Sequence, residues 1–327
     1  MRFLLHSLHL HYHASTQALI LCAAPERSEC VDAWAQTPSD PDADATIRRD
    51  YVAVDTNDPI VVIGYGAIWP QREGQFRMDL IVAQAWRRQG IGEALLQRLM
   101  AALRTQNAMI VQARTRDDRP ESLAFLMRRG FTQTNRMIHL RLSIANASTA
   151  ALAPLTAGLD AQGITIVTLD RERVQTADCP AKIQQLIRAT TPERVSNPYR
   201  VGSDTELCSA EDAKRSWESY ISGPARSLRP DAFFLAKKGE GYIGLSFLGP
   251  EGVTGEVVQG DTAVHSDWRR QGIATLLKLH TIAYAQQYGY AEITTSTASP
   301  GMLALNERLG FRQDWAEVRL VKVMKDA

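Results

Sequence analysis

The sequence predicts an α/β protein made of two tandem copies of one domain, each a mixed, mostly antiparallel sheet flanked by helices. Three observations predict this. One phrase is written twice, as WRRQGIGEALL over 86–96 and as WRRQGIATLL over 268–277. The echo extends far beyond the phrase. Gly64 and Pro70 recur as Gly244 and Pro250 about 180 residues later, Asp79, Trp86 and Gly90 as Asp261, Trp268 and Gly272 about 182 later, and Gly130-Phe131 as Gly310-Phe311 about 180 later. Finally, 327 residues suit two domains of about 100–200 residues each. These signals predict an N-terminal domain over 1–145, a linker over 146–162 and a C-terminal domain over 163–327.

The elements follow in the same order in both copies. In the first, Tyr51–Asp55 and Ile60–Trp69 alternate and are rich in Val, Ile and Tyr, as strands are. Phe76–Val82 reads as a third strand. From Gly90 to about Arg104 the apolar spacing is helical, with Leu95, Leu96, Leu99 and Leu103 on one face. Ala108–Arg114 reads as a strand. Pro120–Arg129 reads as a helix opened by proline and stopped by Gly130, and Arg136–Ile144 as a last strand. The second copy repeats the pattern with strands over Phe233–Lys238, Gly241–Leu248, Glu256–Val264, Glu292–Thr297 and Glu317–Val323, and helices over Gly272–Tyr288 and Gly301–Leu309. Its segment ahead of the strands, Pro180–Pro230, is longer. It offers helices over Lys182–Ala189 and Ala210–Ile221 around a turn-rich 197–203; the shorter counterpart in the first copy is Cys30–Arg49. Between the copies, NASTAALAPLTAGLDAQG is rich in small residues and turn formers.

Composition excludes several classes. A formal net charge of +1 and basic clusters no longer than pairs argue against a nucleic-acid binder. No stretch suits a membrane surface, and the apolar run over 18–24 is far too short to span a bilayer. The amino-terminal MRFLLHSLHLHYH is broken by His6 and His9 and lacks a nearby cleavage site, so it does not read as a signal peptide. Cys22, Cys30, Cys179 and Cys208 show no zinc-ligand spacing, which fits a reduced, cytoplasmic protein. His9, His11 and His13 share one face of an alternating stretch, which reads as a polar strand face. No metal site is predicted.

The repeated phrase carries the chemistry. A strand delivers Arg87-Arg88-Gln89-Gly90-Ile91-Gly92, and a helix opens within it. The first N–H groups of a helix lack internal partners and carry positive potential, so an anion is their natural guest. Glycines let a phosphate approach the backbone, and Arg87 or Arg88 can reach it. The spacing is neither GxGxxG nor a P-loop. It is Arg87-x-x-Gly90-x-Gly92 in the first copy and Arg269-x-x-Gly272-x-Ala274 in the second, each about 40 residues before a Gly-Phe that ends another helix (RRGF 128–131, RLGF 308–311).

On these motifs the chain resembles the GCN5-related N-acetyltransferase (GNAT) superfamily, as a tandem pair covering nearly its whole length. The resemblance implies acetyl-CoA, or another acyl-CoA, as donor. It implies two pyrophosphate loops, Arg87, Arg88, Gln89, Gly90, Ile91 and Gly92, and Arg269, Arg270, Gln271, Gly272, Ile273 and Ala274. It implies that the strand before each loop splays from its neighbour and offers its backbone to pantetheine, at Leu80, Ile81 and Val82 and at Thr262, Ala263 and Val264. The hydroxyl of Thr275 could also bond pyrophosphate, where Glu93 of the first copy would repel it.

Acyl transfer to an amine needs a base, donors for the oxyanion, and help for a leaving thiolate whose pKa of about 8.5 makes an acid useful more than essential. Members of the family often place a tyrosine four residues before the glycine of the Gly-Phe ending. Leu126 and Asn306 stand there. Leu126 can only pack; Asn306 could bond the CoA sulfur or pantetheine, or cap local structure. Strand parity counted back from Val264 puts Thr262, Gly260, Val258 and Glu256 on one face, which makes Glu256 the candidate base; the matching face of the first copy is apolar. Asp79 and Asp261 read as hydrogen-bonded to neighbouring backbone, and Trp86 and Trp268 as packed on the helices. The expectation is an N-acyltransferase acting on a small amine as a monomer or homodimer. The second copy is its catalytic one, and the first holds CoA or serves as a structural partner. A non-catalytic acyl-CoA sensor is the alternative.

Overall fold

The computed structural model describes residues 3–8, 48–55, 61–190, 229–251 and 255–324. His9, His11 and His13, three of the four cysteines (Cys22, Cys30 and Cys208), the predicted helix over 210–221 and the turns over 197–203 lie outside them.

The first half holds strands β1 (Phe3–Leu8), β2 (Arg49–Asp55), β3 (Val62–Arg72) and β4 (Gln75–Val82), helix α1 (Ile91–Thr105), β5 (Ile110–Arg116), α2 (Pro120–Met127) and β6 (Thr132–Ser143). Helix α3 (Leu152–Asp160) follows. The second half holds β7 (Ile164–Thr168), α4 (Leu169–Gln175), α5 (Cys179–Thr190), β8 (Phe233–Lys238), β9 (Gly241–Glu251), β10 (Glu256–Val264), α6 (Ile273–Gln287), β11 (Glu292–Thr297), α7 (Pro300–Arg308) and β12 (Arg312–Val323).

The chain forms two compact units, and these do not simply follow the repeat. One comprises Met1–Asn135 with Val318–Ala327, the other Arg136–Glu317. In the first, β1 to β4 pair antiparallel in order, β5 joins β4 in parallel, and the end of β12 lies next to β5. In the second, β7 to β10 pair antiparallel, β11 joins β10 in parallel, and β6 closes on β11. Each unit is therefore completed by the last strand of the other repeat. Val318 and Leu320 are buried with Phe76, Leu99 and Val111, while Leu140 and Leu142 are buried with Ile273, Ile293 and Phe311. Both strands alternate apolar and polar residues over their buried ends, which lets each fill a half-buried place in its sheet.

Helix α1 buries the predicted stripe of Leu95, Leu96, Leu99 and Leu103 against its sheet. The Gly-Phe endings are Schellman turns. Gly130 (φ 82) and Gly310 (φ 91) adopt the left-handed conformation, and the Phe131 and Phe311 N–H groups donate to the Leu126 and Asn306 carbonyls five residues back. Each phenylalanine then drops into its core. The segment over 146–162, read as a linker, contains α3, because Leu152, Leu155 and Leu159 recur at helical spacing and pack on the core of the second unit. Each unit also buries a carboxylate with its partners in place. Asp50 takes hydrogen bonds from Arg48 (2.8 Å) and Tyr65 (2.5 Å), and Glu172 from Lys237 (2.8 Å), Thr176 and Tyr242.

Candidate acyl-CoA site

The two loops are built alike, torsion by torsion. A strand ends at Val82 or Val264, a single 3-10 turn follows over Gln84–Trp86 or Ser266–Trp268, and a helix opens at Ile91 or Ile273. Gly90 (φ 85, ψ −10) and Gly272 (φ 86, ψ −5) cap the helices in the left-handed conformation, each two residues after an arginine that is also left-handed, Arg88 (φ 63) and Arg270 (φ 65). A side chain at either glycine would be strained. Gly92 has no such constraint, which is why Ala274 can replace it.

No side chain caps either helix. The first backbone acceptors serve Ala94 and Leu276, four residues on from the capping glycines. The N–H groups of Ile91, Gly92 and Glu93, and of Ile273, Ala274 and Thr275, therefore have no partner within their helices. Arg88, Gln89, Arg270 and Gln271 are exposed beside them. The first arginine of each pair has a tethering role: Arg87 Nε donates to the Val82 carbonyl at 3.1 Å and Arg269 Nε to the Val264 carbonyl at 3.0 Å. Trp86 and Trp268 pack on their cores, as expected from the sequence.

One difference separates the loops. Glu93, in the first turn of α1, forms an ion pair with Arg129, which also stacks on Phe125. Its second oxygen accepts from Gln97. The matching residues in the second copy, Thr275 and Leu309, bring no charge.

Beyond each loop the sheet parts. Strand β4 pairs with β5 only through Gln75, Phe76 and Arg77, and β10 with β11 only through Glu256, Val257 and Val258. Ala83 and His265 turn their N–H groups to β3 and β9. Alternation along a strand then turns the N–H and C=O groups of Leu80 and Val82, and of Thr262 and Val264, toward the gap. Ile81 and Ala263 face the other way.

The gaps are lined in opposite ways. In the first unit Met78, Leu96, Leu99, Ala113 and Leu126 are buried there in one apolar cluster. Strand pairing and the helix starts place Gln259, Lys278, Thr281, Thr295 and Asn306 at the matching positions of the second unit, all buried. Hydrogen bonds tie three of them to one another and to β9. Thr281 Oγ1 donates to Gln259 Oε1 at 2.7 Å, Gln259 Nε2 donates to Ser246 Oγ (3.1 Å) and the Phe247 carbonyl (2.7 Å), and Thr295 Oγ1 reaches the Gln259 carbonyl at 3.3 Å. Ser246 and Thr262 hydroxyls bond at 2.8 Å. Two groups are left over. Asn306 is 1% exposed with neither amide atom hydrogen-bonded, and Lys278 is 1% exposed with only the Phe311 ring beneath its ammonium, at 5.4 Å. Burial pushes the Lys278 amine down to about 7. Unsatisfied buried polar groups are costly enough to need a reason.

Glu256 stands apart from this set. Strand β10 carries a bulge between Gln259 and Thr262, where the Gly260 backbone lies against the Phe247 ring. The extra residue reverses parity. Val257, Gln259, Thr262 and Val264 share a face, and Glu256 lies on the other, at the closed end of the gap opposite Glu292. The parity argument that selected Glu256 does not survive the bulge. Sequence reading also passed over Gln259, Lys278, Thr281 and Thr295. A position-by-position comparison of the repeats would have found them, because Leu96 and Leu99 align with Lys278 and Thr281.

Comparison with known proteins agrees with this architecture. The profile of the Acetyltransferase (GNAT) family matches residues 18–131 and 198–311. The two matches span most of the chain, so it belongs to that family, as a protein with two repeats. Among solved structures, a tandem GNAT protein from the clavulanic acid biosynthesis pathway aligns over 100% of both chains, with TM-score 0.63 and 18% identity. A GCN5-related N-acetyltransferase from Sphaerobacter thermophilus aligns over 99% of this chain and 96% of its own, with TM-score 0.61 and 15% identity. A glucosamine N-acetyltransferase region of a fungal multi-domain GH3 beta-N-acetylglucosaminidase aligns over 98% of this chain and 38% of its own, with TM-score 0.62 and 13% identity. At such identities the likeness is one of fold. No curated protein sequence matches significantly. No helix among the described residues is long and apolar enough to cross a membrane.

Proposed function

We propose that the chain is an acyl-CoA-dependent N-acyltransferase that moves an acetyl group from acetyl-CoA to a small-molecule amine by direct attack. The transfer occurs in the second repeat. The single observation that carries this is the polar lining of the gap between β10 and β11, set against the apolar filling of the gap between β4 and β5. The pyrophosphate would rest on the N–H groups of Ile273, Ala274 and Thr275, with Arg270 and Gln271 beside it. Pantetheine would follow the open edge of β10 at Thr262 and Val264, whose N–H groups are the donors available to an oxyanion. Asn306 would give its unpaired amide to the pantetheine arm or the thioester sulfur. The proposal assigns no side chain the role of base. The repeats, 1–145 and 163–327 around a 146–162 connector, are proposed as duplicated copies of which the first is a structural partner able to hold CoA.

The test is a carboxylate in the first turn of each helix. Ala274 and Gly92 are the positions of choice, because any side chain at the capping glycines is strained. Ala274→Glu is expected to abolish acetyl-CoA-dependent thiol release with an amine panel, and Gly92→Glu to spare it. The reverse result moves the chemistry to the first repeat. A second reading, an acyl-CoA sensor, rests on the absence of the family's tyrosine at Leu126 and Asn306. It predicts saturable acetyl-CoA binding at the second loop, lost there in Ala274→Glu, with no turnover of any amine.

A further inference from the structure

The geometry of α6 points to an unassigned role for one residue: we infer that Lys278 is the proton donor to the leaving CoA thiolate, in place of the tyrosine that neither repeat has. The inference rests on the proposed transfer in the second repeat. Lys278 precedes Thr281 by one turn on the same stripe of α6, and Thr281 is bonded to Gln259, where β10 and β11 begin to part. Strand β10 runs toward the loop and α6 runs back from it. A residue one turn before Thr281 therefore lies over the open stretch at Thr262, not over the closed end. The Phe311 ring beneath the ammonium is held to α7 by its N–H bond to the Asn306 carbonyl. Lysine and asparagine thus flank the same gap from two helices. In the first unit Leu96 and Leu126 occupy these two positions within one apolar cluster.

A buried cation with no anion beside it among the described residues needs a reason. The Lys278 ammonium makes no hydrogen bond or ion pair with any described residue, and the group that would complete it is one that becomes negative in the gap. A departing thiolate is such a group. The chemistry balances. The amine nitrogen forms a bond to the acetyl carbon, the carbon–sulfur bond breaks with its electron pair on sulfur, and the Lys278 ammonium passes a proton to sulfur. The neutral amine regains a proton from the one that the attacking nitrogen releases to solvent. With its pKa near 7, the ammonium is a stronger acid than a thiol at about 8.5, so the transfer runs downhill. The titratable groups on the elements packed around α6 include Glu256 and Asp261 on β10, Glu292 on β11, Asp160 on α3, Glu307 and Arg308 on α7, and His280 and Tyr284 on α6 itself. None of them sets this value, which comes from burial alone.

The experiment needs no acceptor for its first readout. Free CoA is bound to the full chain, and thiol ionisation is followed by thiolate ultraviolet absorbance against pH, in wild type and in Lys278→Leu, which carries the leucine of the first repeat. An unchanged circular dichroism spectrum reports folding. Next to the ammonium the bound thiol is expected to ionise at least tenfold more readily than free CoA, and Lys278→Leu is expected to return it to the ordinary thiol value. In acetyl transfer, Lys278→Leu should lower kcat roughly tenfold to hundredfold with KM for acetyl-CoA little changed, and remove the fall in rate above pH 7. Lys278→Arg keeps a charge but cannot release a proton. It should lower the thiol pKa without restoring kcat. A CoA stoichiometry that Ala274→Glu lowers by one site, with identical thiol titration in wild type and Lys278→Leu, overturns the inference and leaves the proposed transfer standing. A CoA stoichiometry that Ala274→Glu leaves unchanged overturns the assignment to the second repeat, and this inference with it.

Discussion

The two gaps sit on the same backbone and are filled by opposite chemistries. Under the first helix, methionine, leucine and alanine meet at the parting strands, and among the described residues no buried polar side chain joins them. Under the second, a lysine, a glutamine, an asparagine and two threonines take the same positions, and the Asn306 amide and the Lys278 ammonium have no hydrogen-bond partner among the described residues. The fold does not demand the polar set, because the first repeat builds the same splay from apolar residues. The difference therefore belongs to use. An apolar interior contributes several kcal/mol through burial, whereas a polar one gives up that stability unless each group finds a partner.

The sharpest way to break this comparison is to exchange the key residue in both directions. Leu96→Lys puts an unpaired ammonium among Leu99, Ala113 and Leu126, and is expected to destabilise the first unit by about 3–5 kcal/mol. Lys278→Leu should instead stabilise the second. Urea unfolding of both variants measures the pair. Equal losses in the two would show that the second interior is as well satisfied as the first. The next effect is smaller. Thr281→Val removes the donor to Gln259 Oε1 and should cost about 1–3 kcal/mol. The pair Gln259→Met and Thr281→Leu removes donor and acceptor together, so its loss should fall well short of the sum of the two single losses.

Stability against pH reads the same lysine independently. Its amine titrates near 7 in the folded protein and at the ordinary 10.5 when unfolded. Between these values the unfolded chain holds a proton that the folded chain has released. Folded stability then rises with pH, by about 1.4 kcal/mol per unit. Below pH 7 both states hold the proton and the contribution is flat. The slope should be present in wild type, absent in Lys278→Leu, and unaffected by Leu99→Ala. A slope that persists in Lys278→Leu assigns it to another group.

Much of the fold could be read in advance because its signals are local. Phe233–Lys238, Glu256–Val264 and Glu292–Thr297 form strands with the predicted bounds, each rich in β-branched or aromatic residues and bounded by turn residues. The loops were legible because Gly90 and Gly272 recur with their arginines. What escaped was long-range. Sequence does not reveal that β6 and β12 change places, since both strands alternate alike and both lie at the ends of their repeats. The bulge in β10 adds one residue between Gln259 and Thr262, marked in the sequence by Gly260 alone, and it moves Glu256 to the other face. Lys278 escaped for another reason. A lysine inside a helical pattern is ordinarily taken to face water, and only its alignment with Leu96 shows that it faces the core.

The smallest effect tests whether the first loop is also tuned against its anion. Glu93 places a carboxylate in the first turn of α1, where the unpaired N–H groups would otherwise attract phosphate. Its pairing with Arg129 offsets much of that charge, but both side chains reach solvent, so the pair is screened and worth little to stability. Glu93→Thr copies the second loop. It should change folding stability by less than about 1 kcal/mol and strengthen CoA binding at the first loop by roughly twofold to fivefold, the range expected for one charge at a helix end. Arg129→Ala leaves the carboxylate unbalanced and should weaken binding by a similar factor. Calorimetric titration in an Ala274→Glu background isolates the first loop, and the gain from Glu93→Thr should shrink as salt is added. If Glu93→Thr leaves affinity unchanged while Arg129→Ala lowers it, the arginine itself contacts the anion and the carboxylate is a bystander.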